Sequence, residues 1–273
     1  MISWLEAPDC QDPAHVGGKA ASLARLAAAY PVPAAFCLAA MEGTTLSPAL
    51  RVEMAEAYAQ LGARCGAAEL PVAVRSSAVD EDGATASFAG QHESYLNVVG
   101  AEAVIVAVER CLASARSARA REYRRARGLR LEARVAVLVQ QLVRSDVSAV
   151  VFSADPRTGE RAHIVVNAAW GLGESLVGGT VTPDLYVVRK ADLAVLSRQI
   201  ADKVVMTVLG AAGTREVPVP RALRQASALD DAQVAALAAW ARSLEAYEGR
   251  PVDLECAYAA GRPYLLQCRP ITA

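Results

Sequence analysis

The chain has 273 residues, of which 53% are hydrophobic, and its 28 basic and 29 acidic residues give a formal net charge of -1. This length is sufficient for one large domain or two small lobes with a sizeable core. The high apolar content excludes an intrinsically disordered chain, and the near-zero net charge argues against a general binder of nucleic acid or another polyanion.

The sequence indicates neither a membrane span nor a disulfide framework. The longest uncharged stretch, residues 26–41, is interrupted by Pro31 and Pro33 and is too short to cross a bilayer. The N-terminus lacks the basic flank and apolar run of a signal peptide. The six cysteines are scattered and form no C-x-x-C pair, which favours reduced, buried thiols. We therefore expect a cytoplasmic protein.

The N-terminal half is predicted to mix helices with short strands. Hydrophobic periodicity predicts three helices, over residues 17–30, 51–64 and 101–127. The arginines late in the third helix indicate a solvated face, with an RNA-binding stripe as the alternative. An apolar strand over residues 72–74 ends at Arg75 and is followed by a predicted loop, rich in Ser, Ala, Gly and Asp, that extends to residue 91.

The C-terminal half is predicted to be richer in strands. β-branched runs predict strands over residues 134–143, 148–153 and 163–168, and strands with turns over residues 185–188 and 195–208. Residues 170–183 form a predicted glycine-rich loop, and Asp230 is a predicted N-cap for a helix that extends to residue 247. Two final strands cover residues 252–258 and 264–269. Helices between strands of mixed type predict an α+β (mixed α/β) fold.

Two segments of the N-terminal half have the composition of a phosphate-binding site. Lys19 follows a glycine pair and begins a helix, where backbone N–H groups and a lysine both attract anions. The spacing is not that of a P-loop, so on spacing alone a surface lysine is the preferred interpretation. Arg75 leads into small residues whose N–H groups can form an anion nest, with an ordinary surface loop as the alternative.

The last two predicted strands place four polar side chains on one face. Asp253 and Glu255 alternate with apolar residues, and Gln267 and Arg269 do the same on the next strand. Carboxylate oxygens suit Mg²⁺ bound together with nucleotide phosphates, and arginine suits the charge that develops during phosphoryl transfer. A solvent-facing strand pair with cross-strand salt bridges explains the pattern equally well.

Taken together, these motifs resemble the N-terminal ATP-binding domain of phosphoenolpyruvate synthase, pyruvate phosphate dikinase and rifampin phosphotransferase, which belongs to the ATP-grasp class. The matching stretches occur in the family's order and span nearly the whole chain: residues 16–26, 31–33, 74–78, 86–91, 96–98, 111–114, 119–124, 137–140, 168–174, 181–184, 253–255 and 266–272. Each stretch alone is unspecific, but the collinear set is highly specific.

The resemblance implies one ATP-grasp domain over residues 1–273, with two lobes of approximately residues 1–139 and 140–273 that close on ATP and Mg²⁺ in the cleft between them. Lys19 and Arg75 are implied to hold phosphates. The implied cover of the triphosphate is Ser87, Phe88, Ala89 and Gly90. The implied hinge strand beside adenine is Gln140, Gln141, Leu142 and Val143. Glu255 and Gln267 are implied to approach the metal with Asp253 nearby, while Arg269 stabilises the transferring phosphoryl group.

In this family ATP is split to AMP, and the β-phosphate passes to a histidine on a swivelling domain before it reaches pyruvate or an antibiotic hydroxyl. None of the three histidines, His15, His92 and His163, lies in the family's phosphohistidine motif, and no swivelling or acceptor domain is evident in the chain. The resemblance therefore implies a catalytic module that phosphorylates a histidine on a separate partner protein and relies on an acceptor-binding protein or domain.

The sequence departs from the family pattern in three places. Leu142 stands where the family commonly has Met, and Cys256 stands where it often has Trp; both are tolerable packing changes. The segment after Phe36 is shortened, which implies a reduced cap on the N-terminal lobe. Two alternative functions stay open: a self-sufficient ATP-grasp kinase or ligase that acts on a small molecule, and a non-catalytic nucleotide-binding subunit or excised domain.

Overall fold

The computed structural model describes residues 1–79, 94–117, 121–122, 125 and 134–271, and these form two compact units. Unit 1 comprises Met1–Leu142 and Ala211–Gly213, and unit 2 comprises Val143–Gly210 and Thr214–Ala273. Four of the predicted nucleotide-binding residues lie outside the described residues: Ser87, Phe88, Ala89 and Gly90.

Unit 1 is built on a five-stranded antiparallel sheet with the strand order β1-β2-β5-β3-β4. Its strands are β1 (Ile2–Trp4), β2 (Ala35–Met41), β3 (Val72–Ala78), β4 (Ser94–Val98) and β5 (Val135–Gln141). Its helices are α1 (Pro13–Leu26), α2 (Pro48–Arg64) and α3 (Ala101–Ser114), with a 3₁₀ turn at Pro8–Gln11.

Helices pack on both faces of the sheet of unit 1. Alternate residues of a strand point to opposite faces, so each strand contributes side chains to both sides. On β2, Phe36 and Leu38 belong to the core that includes buried residues of α2 and α3, such as Met54. Between them, the Sγ of Cys37 donates to the carbonyl of Val16 in α1, at 3.7 Å. Strands buried on both faces explain why the sequence shows continuous apolar runs here.

Unit 2 is built on a six-stranded antiparallel sheet with the order β13-β12-β6-β7-β8-β9. Its strands are β6 (Val147–Phe152), β7 (His163–Trp170), β8 (Asp184–Arg189), β9 (Val195–Gln199), β12 (Val252–Ala259) and β13 (Arg262–Pro270). A separate hairpin consists of β10 (Val205–Leu209) and β11 (Thr214–Pro218). The short helix α4 (Glu174–Val177) packs on the hairpin, and α5 (Asp231–Glu248) packs on β6, β7, β8 and β12.

The mixed α/β class predicted from the sequence is confirmed, and so is the cap of the last helix. The carboxylate of Asp230 accepts the N–H of Gln233, and the Gln233 side chain accepts the N–H of Asp230, which completes a capping box. At the other end Gly249 has a φ of 68°, the left-handed conformation that commonly ends a helix.

The boundaries of two predicted helices were wrong. Helix α1 begins at Pro13, capped by Asp12, and ends at Leu26, whereas the periodicity had placed it over residues 17–30. Helix α3 ends at Ser114 and passes into a turn over residues 115–117, whereas the periodicity had predicted one helix to residue 127. The residues described beyond the turn, 121, 122 and 125, are again helical. Apolar periodicity located both helices but did not show where their backbone bonds stop.

Four strands of the described residues were not predicted from the sequence: β1, β2, β4 and β11. β1, β4 and β11 have three to five residues each, and β2 is rich in alanine, so none offers a long β-branched run. Among the helices of the described residues, none has the length and apolar character that a bilayer span requires.

Candidate functional site

The glycine turn that precedes Lys19 interrupts α1 and lies directly against β3. Gly17 has φ 75° and ψ 167°, so the regular helix resumes only after it. A Cβ added to Gly17 would lie 2.1 Å from the carbonyl oxygen of Ser77, so no other residue fits without displacing β3. The Oγ of Ser77 accepts the N–H of Ala20 at 3.3 Å. The turn is therefore fastened to the strand.

Lys19 itself is held by the same strand. Its Nζ donates to the carbonyl oxygen of Ser76 at 3.2 Å. Arg75 precedes that serine directly and is partly buried, opposite Leu138 of β5. Two motifs that are more than 50 residues apart in sequence thus form one group, which we call the lysine cluster: Gly17, Lys19, Arg75, Ser76 and Ser77.

The lysine cluster contains a buried polar atom that needs a partner. Ser76 is 1% exposed, and its Oγ has no hydrogen-bond partner among the described residues. A buried hydroxyl without a partner costs free energy and is uncommon in folded proteins. Two cationic side chains beside a helix turn are groups that bind a phosphate well. The Ser76 hydroxyl points to the opposite face of β3, on the side of the core that contains Val74 and Val137.

The predicted hinge lies at the end of β5. Gln140 is 2% exposed between Ala35 and Ala73, and its Nε2 has no hydrogen-bond partner among the described residues. The next two N–H groups are bonded, since Gln141 donates to Ala34 at 2.8 Å and Leu142 donates to Pro71 at 3.0 Å. The two units meet in sequence between Leu142 and Val143. The Gln140 amide is accordingly a candidate donor to a ligand.

The four polar residues of the last two strands occupy paired positions, as their alternation predicts. Asp253 lies opposite Arg269, and Glu255 lies opposite Gln267. Nε and Nη2 of Arg269 both donate to the same oxygen, Oδ2 of Asp253, at 2.8 and 2.7 Å. We call this group the carboxylate cluster: Asp253, Glu255, Gln267 and Arg269. A register shift follows Glu255, so regular pairing is interrupted directly beside the cluster.

One carboxylate oxygen of the carboxylate cluster is buried without a hydrogen-bond donor among the described residues. Asp253 is 5% exposed, and its Oδ1 has no hydrogen-bond partner among the described residues. Burial raises the pKa of Asp253; Arg269 opposes that rise, and Glu255 adds to it. A buried carboxylate oxygen without a donor, next to a second carboxylate and an amide oxygen, is an oxygen-rich donor set of the kind that Mg²⁺ prefers. The residues present therefore fit this ion.

The two histidines within the described residues, His15 and His163, lie beside polar residues of the fold and on a paired strand, respectively. The Nε2 of His15 lies 3.2 Å from the Oγ of Ser3 and 3.7 Å from the Oδ2 of Asp9. His163 begins β7 and pairs with Arg189 of β8. His92 lies outside the described residues.

One buried ion pair was not singled out from the sequence. Asp184 and Lys203 have fully buried side chains, and Nζ of Lys203 donates to Oδ1 of Asp184 at 2.5 Å. The same carboxylate accepts the N–H groups of Ala201 at 2.9 Å and of Ala228 at 2.8 Å. The rarity of lysine, with three among 28 basic residues, was the one sequence feature that marked Lys203.

Comparison with known proteins identifies the family. A family model described as "Pyruvate phosphate dikinase, AMP/ATP-binding domain" matches residues 38–273. The chain belongs to this family. The resemblance drawn from its motifs is confirmed, and with it the ATP-grasp fold class.

Three relatives show how widely the domain is used. A probable phosphoenolpyruvate synthase of Methanocaldococcus jannaschii is 35% identical over 100% of this chain and 27% of its own length. A rifampicin phosphotransferase of Streptomyces sviceus is 44% identical over 73% of this chain and 23% of its own length. A prodigiosin synthesizing transferase, PigC, of Serratia marcescens is 37% identical over 100% of this chain and 33% of its own length. The chain thus spans about a quarter to a third of the length of these relatives.

Proposed function

We propose that the chain is the ATP-cleaving module of a phosphotransferase. It uses ATP and Mg²⁺ and passes a phosphoryl group to a histidine on a separate partner protein, for final transfer to pyruvate or to the hydroxyl of a natural product or antibiotic. In this reaction AMP leaves, the histidine nitrogen acquires the β-phosphoryl group, and the γ-phosphoryl group is released to water or inorganic phosphate. Family membership supports the use of ATP, and the names of the relatives support phosphoryl transfer.

The observation that supports the proposal most strongly is the half-satisfied carboxylate of Asp253. One of its oxygens orients Arg269, and the other is buried without a donor among the described residues. Such an arrangement is costly in an isolated protein, because a buried acceptor loses its bonds to water and gains none. It becomes favourable when a cation or a donor group of a ligand completes it. An ion pair that serves only to stabilise the fold does not require a buried oxygen without a donor.

The lysine cluster is proposed to hold the phosphates of ATP. Lys19 and Arg75 supply the positive charge that attracts the phosphate oxygens. The Gln140 amide, whose Nε2 is buried without a partner among the described residues, is proposed to donate to the adenine, beside Gln141, Leu142 and Val143. Ser87, Phe88, Ala89 and Gly90 are proposed to cover the triphosphate.

The carboxylate cluster is proposed to carry out the transfer. Glu255 and Gln267 are the proposed metal ligands, with Asp253 beside them. Bound Mg²⁺ neutralises charge on the phosphate oxygens. Arg269, held in place by Asp253, stabilises the charge on the phosphoryl group as it is transferred. None of these steps requires a titratable nucleophile in the chain, because the nucleophile is the partner's histidine.

A product assay with β-labelled ATP tests this function. The chain is incubated with ATP and Mg²⁺, with and without the swivelling domain of a family member added as a separate protein. The proposal expects AMP and a labelled swivelling domain only when both proteins are present. AMP or ADP formed with a small hydroxyl compound and no second protein would instead establish a self-sufficient kinase or ligase.

The remaining outcome concerns binding without chemistry. If ATP binds but neither AMP nor ADP appears with any partner or acceptor, the chain is a nucleotide-binding subunit and the proposal is wrong. Arg269→Lys is the matched control for the active arm, since it keeps the positive charge but loses the pair of donors that contact Asp253. We expect this variant to bind ATP and to form little AMP.

A further inference from the structure

Ser77 has a contact pattern that the proposed function does not use. It is completely buried in β3, which is paired with β5 on one side and with β4 on the other. Its Oγ accepts the N–H of Ala20, and its carbonyl oxygen occupies the space into which a Cβ of Gly17 would project. Both contacts reach the turn on either side of Lys19.

The kink at Gly17 makes these contacts necessary. After a break, the first N–H groups of the resumed helix have no carbonyl one turn earlier to bond with. Ser77 supplies an acceptor for one of them, which is the role that an N-cap side chain usually fulfils from within the helix itself. Here the cap comes from a strand 57 residues away in the sequence.

We propose that Ser77 is a positioning residue that sets the location of Lys19 for phosphate binding. The main chain around Lys19 is held by Ser77, and its ammonium group is held by the carbonyl of Ser76. Arg75 begins the same three-residue stretch, so one rigid strand fixes both cations. Ser77 does not touch the ligand, because its hydroxyl is buried and bonded to Ala20. The inference rests on the proposed role of Lys19.

A double-mutant cycle tests the proposal on the full chain. The dissociation constant of Mg²⁺–ATP is measured by calorimetry for the wild type, Ser77→Ala, Lys19→Ala and the double variant. We expect Lys19→Ala to raise it at least about tenfold, and Ser77→Ala to raise it about threefold to tenfold. In the Lys19→Ala background, Ser77→Ala should change it less than about twofold, because the residue through which it acts is gone.

The outcomes separate this inference from the proposed function. If Lys19→Ala weakens binding but Ser77→Ala does not, or if the two effects simply multiply, Ser77 has no positioning role while the phosphate site stands. If Lys19→Ala leaves the dissociation constant unchanged, the lysine does not hold phosphate and both claims are wrong. Ser47→Ala is the matched control, because Ser47 caps α2 with a bond of the same kind and length, 3.3 Å to Leu50. It should leave ATP binding unchanged.

A second pair of variants tests the close approach and does not depend on the hydroxyl. Gly17→Ala introduces a Cβ against Ser77 at a positive φ, whereas Gly66→Ala introduces one at a similar φ of 71° with nothing within 4 Å. Both variants strain the backbone, but only the first displaces the turn. We expect Gly17→Ala to weaken ATP binding more than Ser77→Ala does, and Gly66→Ala to leave it unchanged. Wild-type affinity in Gly17→Ala would overturn the proposal.

Discussion

Two of the buried aspartates of unit 2, Asp184 and Asp253, are paired with basic side chains, and their surroundings differ in one decisive respect. Asp184 accepts bonds at both oxygens, from Lys203 and from the N–H groups of Ala201 and Ala228. Asp253 accepts bonds from Arg269 at one oxygen, and its other oxygen is buried without a donor among the described residues. The first pair is complete within the protein, and the second is not.

The location of each pair in the fold agrees with this difference. Asp184 begins β8 and joins it to the segments that precede β10 and α5, so its bonds hold loops onto the sheet. Asp253 lies on β12 next to a register shift and beside Glu255 and Gln267. A satisfied ion pair is a structural element, whereas an unsatisfied one is a candidate for ligand binding. Counting donors at each oxygen distinguishes the two, although both look alike in sequence.

The largest expected effect is on catalysis at the incomplete pair. Asp253→Asn should lower the rate of AMP formation by about a hundredfold or more, because an amide cannot orient Arg269 or hold a cation as a carboxylate does. The measurement is AMP production with the swivelling domain present. Asp146→Asn is the control, since Asp146 is an aspartate of the same unit that accepts the N–H of Ala260 in an exposed bond. A wild-type rate in Asp253→Asn would remove the distinction between the pairs.

The next largest effect is on stability at the complete pair. Lys203→Met leaves the Asp184 carboxylate buried without its counter-charge and should lower the free energy of unfolding by about 3–5 kcal/mol. Urea denaturation followed by circular dichroism measures this change. Lys190→Met provides the comparison, because Lys190 pairs with Glu245 where both side chains are still partly exposed, 18% and 21%. Equal losses in the two variants would contradict the structural role of the Asp184 pair.

A further prediction concerns nucleotide affinity at the carboxylate cluster. Arg269→Lys should change the dissociation constant of Mg²⁺–ATP by less than about threefold, because the positive charge stays, while AMP formation falls about tenfold or more. Calorimetry and the product assay together measure the two effects. A variant that loses affinity and rate in equal proportion would show that Arg269 binds ATP in the ground state instead of stabilising the transfer.

The smallest expected effect is a pH dependence of stability. Burial raises the pKa of Asp253, so its ionised form weakens the fold at pH values above that raised pKa. We expect Asp253→Asn, measured without metal or nucleotide, to be slightly more stable than the wild type near pH 7. The difference should shrink as the pH falls through the raised pKa towards the usual value of 3.8, because the wild-type carboxyl is then protonated in the folded state. A difference that grows on acidification would have the wrong sign.

The candidate site shows which parts of the molecule could be predicted from sequence. Alternation along β12 and β13 was sufficient to place Asp253, Glu255, Gln267 and Arg269 on one face, because the side-chain period of a strand is fixed by its backbone. The cap at Asp230 was predictable for a similar reason, since its partner is three residues away. Local chemistry and short periods can be read directly from the sequence.

Other features depend on contacts between segments that are distant in the chain. The bond between Ser77 and Ala20 spans 57 residues, and the bond between Asp184 and Lys203 spans 19. The kink at Gly17 becomes intelligible only when β3 is seen against it, since glycine pairs occur in helices in many unrelated structural settings. The buried Oδ1 of Asp253 is equally a property of the packed structure. Tertiary packing determined all of these.

The most direct test of the account is a single-turnover experiment with β-labelled ATP, Mg²⁺ and a swivelling domain, in which the wild type is compared with Asp253→Asn at saturating ATP. We expect the wild type to form AMP and to label the swivelling domain, and the ATP-saturated variant to do both at least about a hundredfold more slowly. Labelling by the variant at the wild-type rate, or no labelling by the wild type, would contradict it.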